Sequence, residues 1–195
     1  MAVRKTIQIG DPRLKAENLI VKDLGDPKIK RVIKDLKDTM RKNDLIGMAA
    51  PQIGENYKLF ITQPRKTKAR KLSFTDKVRV YINPKVTKFS EKKNMIYEGC
   101  GSVLKGNLFG PVERPRELTI QAWGEDGKKF QLQCNGILGR VIQHEYDHLL
   151  GIEFTEKIYD YKKLMAREFY IKNIRNSKEQ LSASKVTVIK LKDLA

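Results

Sequence analysis

Hydrophobic residues recur at helical spacing in a first stretch near the N-terminus. Its apolar positions alternate with lysines and aspartates and are Ile29, Val32, Ile33, Leu36 and Met40. Asp26-Pro27 precedes them as an N-cap residue followed by proline at the first helical position. The pattern predicts an amphipathic helix that ends near Asn43. An earlier Asp11-Pro12 pair predicts a helix start of the same kind.

A second helical pattern contains both histidines of the chain. Ile137, Val141, His144 and His148 fall at i, i+4, i+7 and i+11, and Leu138, Ile142 and Leu149 widen the apolar stripe. The pattern predicts a helix whose imidazoles face inward. The Asn135-Gly136 pair precedes it, and Gly151 suits its C-terminal end as a left-handed residue.

Clusters of β-branched and aromatic residues predict strands. The predicted strands are Tyr57–Thr62, Val78–Ile82, Lys85–Phe89, Asn94–Glu98, Leu118–Ala122 and Lys129–Cys134. Pro64 is predicted to end the first of them and Asn83-Pro84 the second. Gly124-Glu125-Asp126-Gly127 predicts a hairpin between the last two. A final helix is predicted from about Tyr159 to Asn176, followed by Lys185–Leu191 as an added strand or an extended tail.

The length of 195 residues, 40% of them hydrophobic, fits a single domain covering residues 1–195. Its C-terminal helix and strand-like tail begin at about residue 157. No apolar run reaches membrane-spanning length, and the segment from Met1 to Lys5 lacks the apolar part of a signal peptide. A soluble, cytoplasmic protein is therefore expected. In such a protein Cys100 and Cys134 are better explained as thiols or metal ligands than as a disulfide.

The charge is strongly basic, with 40 Lys and Arg against 23 Asp and Glu and a net charge of +17. Such a charge attracts polyanions, and RNA or a ribosome are the natural candidates. A solvated, lysine-rich surface explains the composition equally well. The segment Arg65–Lys71, with five basic residues in seven, is interpreted as an exposed loop, with contact to RNA phosphates as the alternative.

The spacing of the two histidines predicts a metal site. Residues four apart on a helix project from the same face, so His144 and His148 can hold one metal ion while Glu145 points alongside it. The alternative is two histidines tolerated on a core face. A glutamate directly after the first histidine favours the metal site.

A catalytic site usually needs a third protein ligand and an open position for water. The metzincin class places a third histidine where this chain has Phe154, and the class is therefore excluded. Glu168 lies at the distance typical of thermolysin-like peptidases. Cys100 is the other candidate, because it lies between two glycines just after a predicted strand. The residues alone leave both open.

Three motifs in order make the chain similar to the peptide deformylase family. They are Leu45–Gln52, Glu98–Ser102 and His144–His148, and the opening Ile7–Pro12 also resembles the family's N-terminus. The similarity extends to about Glu156. Two positions depart from the family pattern: Leu45 stands where the first motif has glycine, and Gly101 where many members have leucine.

The resemblance implies a set of roles for the site residues. Cys100, His144 and His148 would hold a divalent metal, usually iron(II), with zinc, nickel or cobalt able to replace it. Glu145 would accept the proton of the attacking water, and Glu98 would orient the site. The expected substrate is an N-formylmethionyl nascent peptide, which loses its formyl group as formate.

Further roles follow from the same resemblance. The side-chain amide of Gln52 and the backbone N–H of Gly101 would stabilise the developing oxyanion. The peptide would bind as an added strand along Ile46-Gly47, with its methionine in an apolar pocket near the metal helix. The expected fold is α+β, with mainly antiparallel strands wrapped around the metal-binding helix.

Two expectations compete with this function. One is a thermolysin-like metallopeptidase using Glu168, and the other is a basic ribosome- or RNA-binding protein whose metal site is not catalytic. Some family members dock on the ribosome through a basic C-terminal helix. The lysine-rich helix predicted from Tyr159 suits that role, although the chain continues beyond it.

Overall fold

The computed structural model describes residues 3–67, 72, 75–183 and 185–194. Helix α1 spans Pro27–Lys42. The Asp26 carboxylate caps it by accepting a hydrogen bond from the Lys28 backbone N–H at 2.7 Å, and Asn43 ends it. Its predicted apolar face is buried. After Asp11, only a short 3₁₀ turn forms, at Pro12–Leu14.

The strands of the described chain form two antiparallel sheets. In chain order they are β1 (Gly47–Ala49), β2 (Leu59–Thr62), β3 (Arg79–Phe89), β4 (Lys93–Glu98), β5 (Leu108–Pro115), β6 (Glu117–Trp123), β7 (Lys129–Asn135), β8 (Met165–Ala166) and β9 (Val186–Leu194). One sheet has the order β1-β2-β3-β6-β7-β9 and the other β4-β5-β8. The predicted hairpin joins β6 to β7. Neither β1 nor β5 was predicted, because both contain residues that are uncommon in strands, such as Gly110 and Pro111 in β5.

The prediction that Asn83-Pro84 ends a strand is wrong, since β3 runs through it. The pairing with β6 shifts register between Ile82 and Lys85, which accommodates the proline without an N–H. Asn83 takes a left-handed backbone (φ 48°). Its side chain exchanges two hydrogen bonds with the Val21 backbone, of 2.9 and 2.8 Å. These contacts hold the strand at the point where the ladder is interrupted.

Helix α2 spans Gly136–Leu149 and packs against the six-stranded sheet. Leu138, Ile142 and Leu149 of this helix are buried in one hydrophobic core. The sheet contributes Phe60, Tyr81, Ile120 and Leu132 to the same core. Gly151 follows in the left-handed conformation (φ 69°), as predicted. Both ends are tied to distant parts of the chain. The Ile137 N–H donates to the Lys185 carbonyl at 3.0 Å, and Asn18 Nδ2 donates to the Leu149 carbonyl at 3.0 Å.

The C-terminal part differs from the single helix predicted from Tyr159. A 3₁₀ turn at Tyr161–Lys163 is followed by β8, then by α3 (Arg167–Asn173) and α4 (Lys178–Ala183). The helix is interrupted because Met165 pairs with Phe109 as part of the smaller sheet. The predicted strand at the end of the chain is confirmed as β9, which pairs with β7.

The mixed helix and antiparallel-sheet class predicted from the sequence is confirmed. None of the helices in the described part of the chain combines the length and apolar character needed to cross a bilayer. Cys134 is buried in the core and, like Cys100, is not part of a disulfide. Residues 68–71 of the basic segment lie outside the described residues. Arg65 pairs with Asp44 at 3.9 Å, so the start of this segment lies beside the first motif.

Candidate metal centre and substrate cavity

Helix α2 and the turn after β4 bring together the three predicted ligands. His144 and His148 lie one helical turn apart, with ring centroids separated by 5.1 Å. The Cys100 Sγ lies 3.2 Å from His148 Nε2. The candidate ligand atoms of all three residues are within 4.8 Å of one another. Residues distant in sequence therefore converge on one point.

Glu98 orients the first histidine. Its Oε2 lies 3.0 Å from His144 Nδ1, which leaves Nε2 of the same ring for the centre of the group. A carboxylate on the distal nitrogen of a metal-binding histidine fixes the tautomer and the ring orientation. This contact matches the orienting role that the resemblance implies for Glu98.

Glu98 belongs to a buried charge network that the sequence analysis missed. Arg114, at the end of β5, donates from Nε and Nη2 to the two carboxylate oxygens of Glu98 at 2.7 and 2.9 Å, and from Nη1 to Asp147 at 2.6 Å. Burial alone would raise the pKa of Glu98. The Arg114 charge and the His144 hydrogen bond outweigh burial and hold that pKa well below its usual value. Asp147 lies between His144 and His148 in the sequence, and this position is the one feature of the sequence that points to a role for it.

The donor set fits a divalent metal of intermediate softness. One cysteine sulfur and two imidazole nitrogens, largely buried, match the ligands of catalytic zinc and related ions. Glu145 lies beside them, 4% exposed, and burial raises its pKa to about 7. Within the described chain, Glu145 Oε2 has no hydrogen-bond partner. An unpaired buried carboxylate oxygen next to three ligands indicates a group placed for chemistry.

Gln52 and Gly101 lie next to Cys100. The Gln52 amide oxygen accepts from the Ala49 N–H at 2.8 Å, and its Nε2 points to Cys100 Sγ at 3.4 Å and Ser102 Oγ at 3.3 Å. The Gly101 carbonyl accepts from Gln8 Nε2 at 2.9 Å. The N-terminal segment therefore fixes the turn that follows the cysteine.

The α-carbon of Gly47 packs against the Glu145 side chain. A Cβ at this position would lie 2.4 Å from Glu145 Oε1 and 2.5 Å from Val141 Cγ1. Only glycine fits here without displacing the carboxylate.

The backbone of β1 presents an open edge to the cavity, since β1 is the outermost strand of its sheet. The Ile46 carbonyl accepts from the Gln63 N–H at 2.7 Å, within the sheet. Because neighbouring residues of an antiparallel strand alternate in direction, the N–H and carbonyl of Gly47 point away from β2. Ile46 and Gly47 are the two residues predicted to pair with a peptide. Gly47 directs its N–H and carbonyl outward, where a peptide strand could pair with them, whereas the Ile46 carbonyl already accepts a hydrogen bond from Gln63.

A cavity extends from the candidate metal ligands Cys100 and His144 along this edge. Its apolar lining near α2 consists of Ile46, Ile96, Ile137 and Val141. Arg140 also lines it, although the expected methionine pocket was apolar. The Arg140 guanidinium donates to Glu98 at 2.9 Å and to Asn94 Oδ1 at 2.7 Å. Its charge is therefore balanced within the wall of the cavity.

Glu168 does not join this group. It is exposed in the first turn of α3 and is not among the residues that line the cavity. Among the described residues, the cluster of potential metal ligands consists of Cys100, His144 and His148. The thermolysin-like alternative therefore lacks its third ligand.

Comparisons with known proteins agree with this geometry. A family model described as polypeptide deformylase matches residues 3–164. The peptide deformylase of Pseudothermotoga lettingae is 35% identical over 177 residues, covering 91% of this chain and 95% of that protein. Peptide deformylase 2 of Clostridium perfringens is 37% identical over 169 residues, covering 86% of this chain and all of its own length (100%).

A solved structure shows the same fold. The crystal structure of peptide deformylase from Thermotoga maritima superposes with a TM-score of 0.72 at 25% sequence identity, covering 82% of this chain and 100% of that one. This chain accordingly belongs to the polypeptide deformylase family, metal-dependent hydrolases that remove the formyl group from the N-terminal methionine of newly made polypeptides.

Proposed function

We propose that Cys100, His144 and His148 hold the divalent metal of a peptide deformylase reaction in this chain. The convergence of these three residues beside Glu145, whose Oε2 has no hydrogen-bond partner among the described residues, carries the proposal. A bound divalent ion acidifies water and polarises the formyl carbonyl. Iron(II) is proposed as the physiological ion, with zinc, nickel or cobalt as replacements, and the thiolate and imidazole donors accept all four.

Glu145 is the proposed general base. Its carboxylate accepts the proton of the water that attacks the formyl carbon, and it then returns that proton to the departing amine. Gly47 leaves room for the carboxylate at this position. Burial raises the pKa of Glu145 to about 7, so the same group can both accept and donate a proton near neutral pH.

Gln52 and Gly101 are the proposed donors to the oxyanion. The Gln52 amide oxygen is held by the Ala49 N–H, which turns Nε2 toward the metal ligands. The Gly101 N–H follows Cys100 directly in the chain. The hydrogen bond from Ala49 supports the assignment of Gln52, because a donor held in place before reaction can stabilise a developing charge without reorganising.

The peptide is proposed to bind as a strand on the free edge of β1. Gly47 offers its N–H and carbonyl there, and Ile46 contributes its side chain to the cavity. The methionine side chain would lie against Ile137 and Val141 of α2. Glu98 acts on the substrate through His144, which it orients.

The decisive experiment is an anaerobic assay of formate release from formyl-Met-Ala-Ser, combined with metal analysis of the same sample. We expect one metal ion per chain and turnover by the iron(II) form. Anaerobic handling is needed because oxidation of iron would imitate inactivity. If the fully iron(II)-loaded protein released no formate, the proposal would be replaced by a basic binding protein with a non-catalytic metal site.

The proposed setting of the reaction is the cytoplasm, at the ribosome, where formylated chains first become accessible. The net charge of +17 supports attraction to ribosomal RNA. Sedimentation with ribosomes at low and high salt tests this setting. Binding that is lost at high salt is expected, and no binding at low salt would contradict it.

A further inference from the structure

Helices α3 and α4 lie beyond residues 3–164, the part of the chain that the family model matches. Nevertheless, both helices line the cavity that contains Cys100 and Glu145. Arg167 and Tyr170 contribute from α3, and Gln180 and Leu181 from α4. We refer to residues 167–183 as the C-terminal wall. A segment outside the family match therefore shapes the cavity in which the substrate is proposed to bind.

Gln180 attaches this wall to the outer edge of β4. The Tyr97 N–H donates to Gln180 Oε1 at 3.2 Å, and Gln180 Nε2 donates to the Tyr97 carbonyl at 3.2 Å. Tyr97 lies opposite Pro111 of β5, which has no N–H. The N–H and carbonyl of Tyr97 therefore point away from β5, toward the outer edge of β4, where another strand could otherwise pair. One side-chain amide takes the place of that strand.

The attachment is reinforced by aromatic contacts. The Tyr170 ring stacks on Phe109 at 4.0 Å between centroids and on Tyr97 at 6.2 Å. Its hydroxyl accepts a further hydrogen bond from Gln180 Nε2 at 3.2 Å. Gln180 is 7% exposed and Tyr170 3%, so these contacts are sheltered from water. Stacking and sheltered hydrogen bonds together hold the wall in one position.

Two strand edges thus border the cavity, and they differ in what they offer a peptide. The β1 edge presents the N–H and carbonyl of Gly47, whereas Gln180 occupies the β4 edge at Tyr97. Beside Tyr97, a peptide with its formyl group at the metal centre can therefore pair with β1 but not with β4. On its other side it meets the side chains of the C-terminal wall.

Building on the proposed deformylase function, we infer that the C-terminal wall binds the second to fourth residues of a formylated peptide. Gln180 is the positioning residue that holds the wall against β4. It does not touch the reacting atoms. Loss of its hydrogen bonds should therefore weaken the binding of longer peptides and change KM more than kcat.

The test compares formyl-Met peptides of two, three and four residues as substrates of the iron(II)-loaded protein. For Gln180→Ala, kcat/KM should fall about tenfold with the tetrapeptide and about twofold with the dipeptide, the scale of one or two lost hydrogen bonds. Most of the loss should appear in KM. Ser182→Ala, on the exposed side of the same helix, is the matched control and should behave as the unaltered protein.

Tyr170→Phe provides a second variant that keeps the ring stacking and removes the hydroxyl bonded to Gln180. Its loss should be smaller and should also grow with peptide length. An equal loss at every length, or no loss at any length, would overturn the inference while the dipeptide activity of the unaltered protein still supports the deformylase function. Failure of the unaltered protein to release formate from any peptide would instead reject that function.

Discussion

The side chain of Leu45 fills the space beside the α-carbon of Gly101. A Cβ on Gly101 would lie 3.0 Å from Leu45 Cδ1 and 3.6 Å from Cδ2. A larger side chain at position 101 would require Leu45 to shift, because the approach is already tighter than an ordinary van der Waals contact. The two positions that depart from the expected deformylase motifs, 45 and 101, therefore lie next to each other in the fold.

This proximity predicts strong coupling between the two positions. Gly101→Leu should lower the unfolding free energy by about 1–3 kcal/mol through overpacking, and Leu45→Gly should leave a gap beside the turn. The double variant should recover most of both losses, with a coupling energy of about 1 kcal/mol or more. Urea unfolding and kcat/KM of all four proteins measure this cycle. Purely additive effects would show that the contact is incidental.

Metal content should depend on Cys100 and not on Glu168. Cys100→Ala removes the one sulfur donor of the cluster, and the purified protein should contain far less than one metal ion per chain. Glu168→Gln changes an exposed residue of α3 and should leave the metal content unaltered. Elemental analysis of both proteins, prepared in parallel, decides the question. Full metal content in Cys100→Ala would remove the cysteine from the proposed ligand set.

Glu145→Gln should separate metal binding from turnover. The amide has nearly the same shape as the carboxylate but cannot accept the water proton, so kcat should fall about 10²–10⁴-fold. Metal content should remain that of the unaltered protein. Formate release and elemental analysis on one preparation measure both quantities, and Glu168→Gln again serves as the control. A variant with undiminished kcat would refute the assigned base.

Gly47→Ala should displace the Glu145 carboxylate while leaving residue 145 itself unchanged. The added methyl group would overlap Glu145 Oε1 and Val141 Cγ1, so the carboxylate must move. A displacement of about 1 Å can cost a factor of 10², and we expect a loss of kcat of that order. Gly25→Ala, in an exposed loop where the new Cβ meets only the Asp23 side chain, is the control. Unchanged kinetics in Gly47→Ala would show that the Glu145 carboxylate can shift without losing its role in the reaction.

The buried charge network should matter for stability as well as for the site. Arg114→Met leaves the Glu98 and Asp147 carboxylates without their shared partner, which should cost about 3–5 kcal/mol of unfolding free energy. Lys93→Met, which breaks the exposed pair with Glu113 between β4 and β5, should cost less than about 1 kcal/mol. Urea unfolding measures both. Equal costs for the two variants would contradict the assigned weight of the buried network.

The residues of the candidate metal cluster could be singled out from the sequence because each carries a local signal, although only the family resemblance favoured Cys100 over Glu168. The spacing of His144 and His148 follows from helical geometry, and Cys100 lies in a short motif between two glycines. Periodicity located α1 and α2, and turn residues located the hairpin after β6. In each of these cases the residues that determine the structure are close together in the chain.

The supporting contacts were not predictable in this way. Arg114 is one basic residue among 40 Lys and Arg, and nothing near it in the chain indicates that Glu98 and Asp147 will be its partners. Asn83-Pro84 carries a strong local signal for a strand end, which is overridden by contacts between Asn83 and Val21. The link between Gln180 and Tyr97 joins positions 83 residues apart. Pairings at such separations are set by the fold.

Helix α2 is anchored at its start by the Lys185 carbonyl and at its end by Asn18. Strand β9, directly after Lys185, completes the larger sheet through its pairing with β7. A chain synthesised only as far as α2 therefore lacks both the carbonyl that accepts from the start of this helix and the strand that pairs with β7.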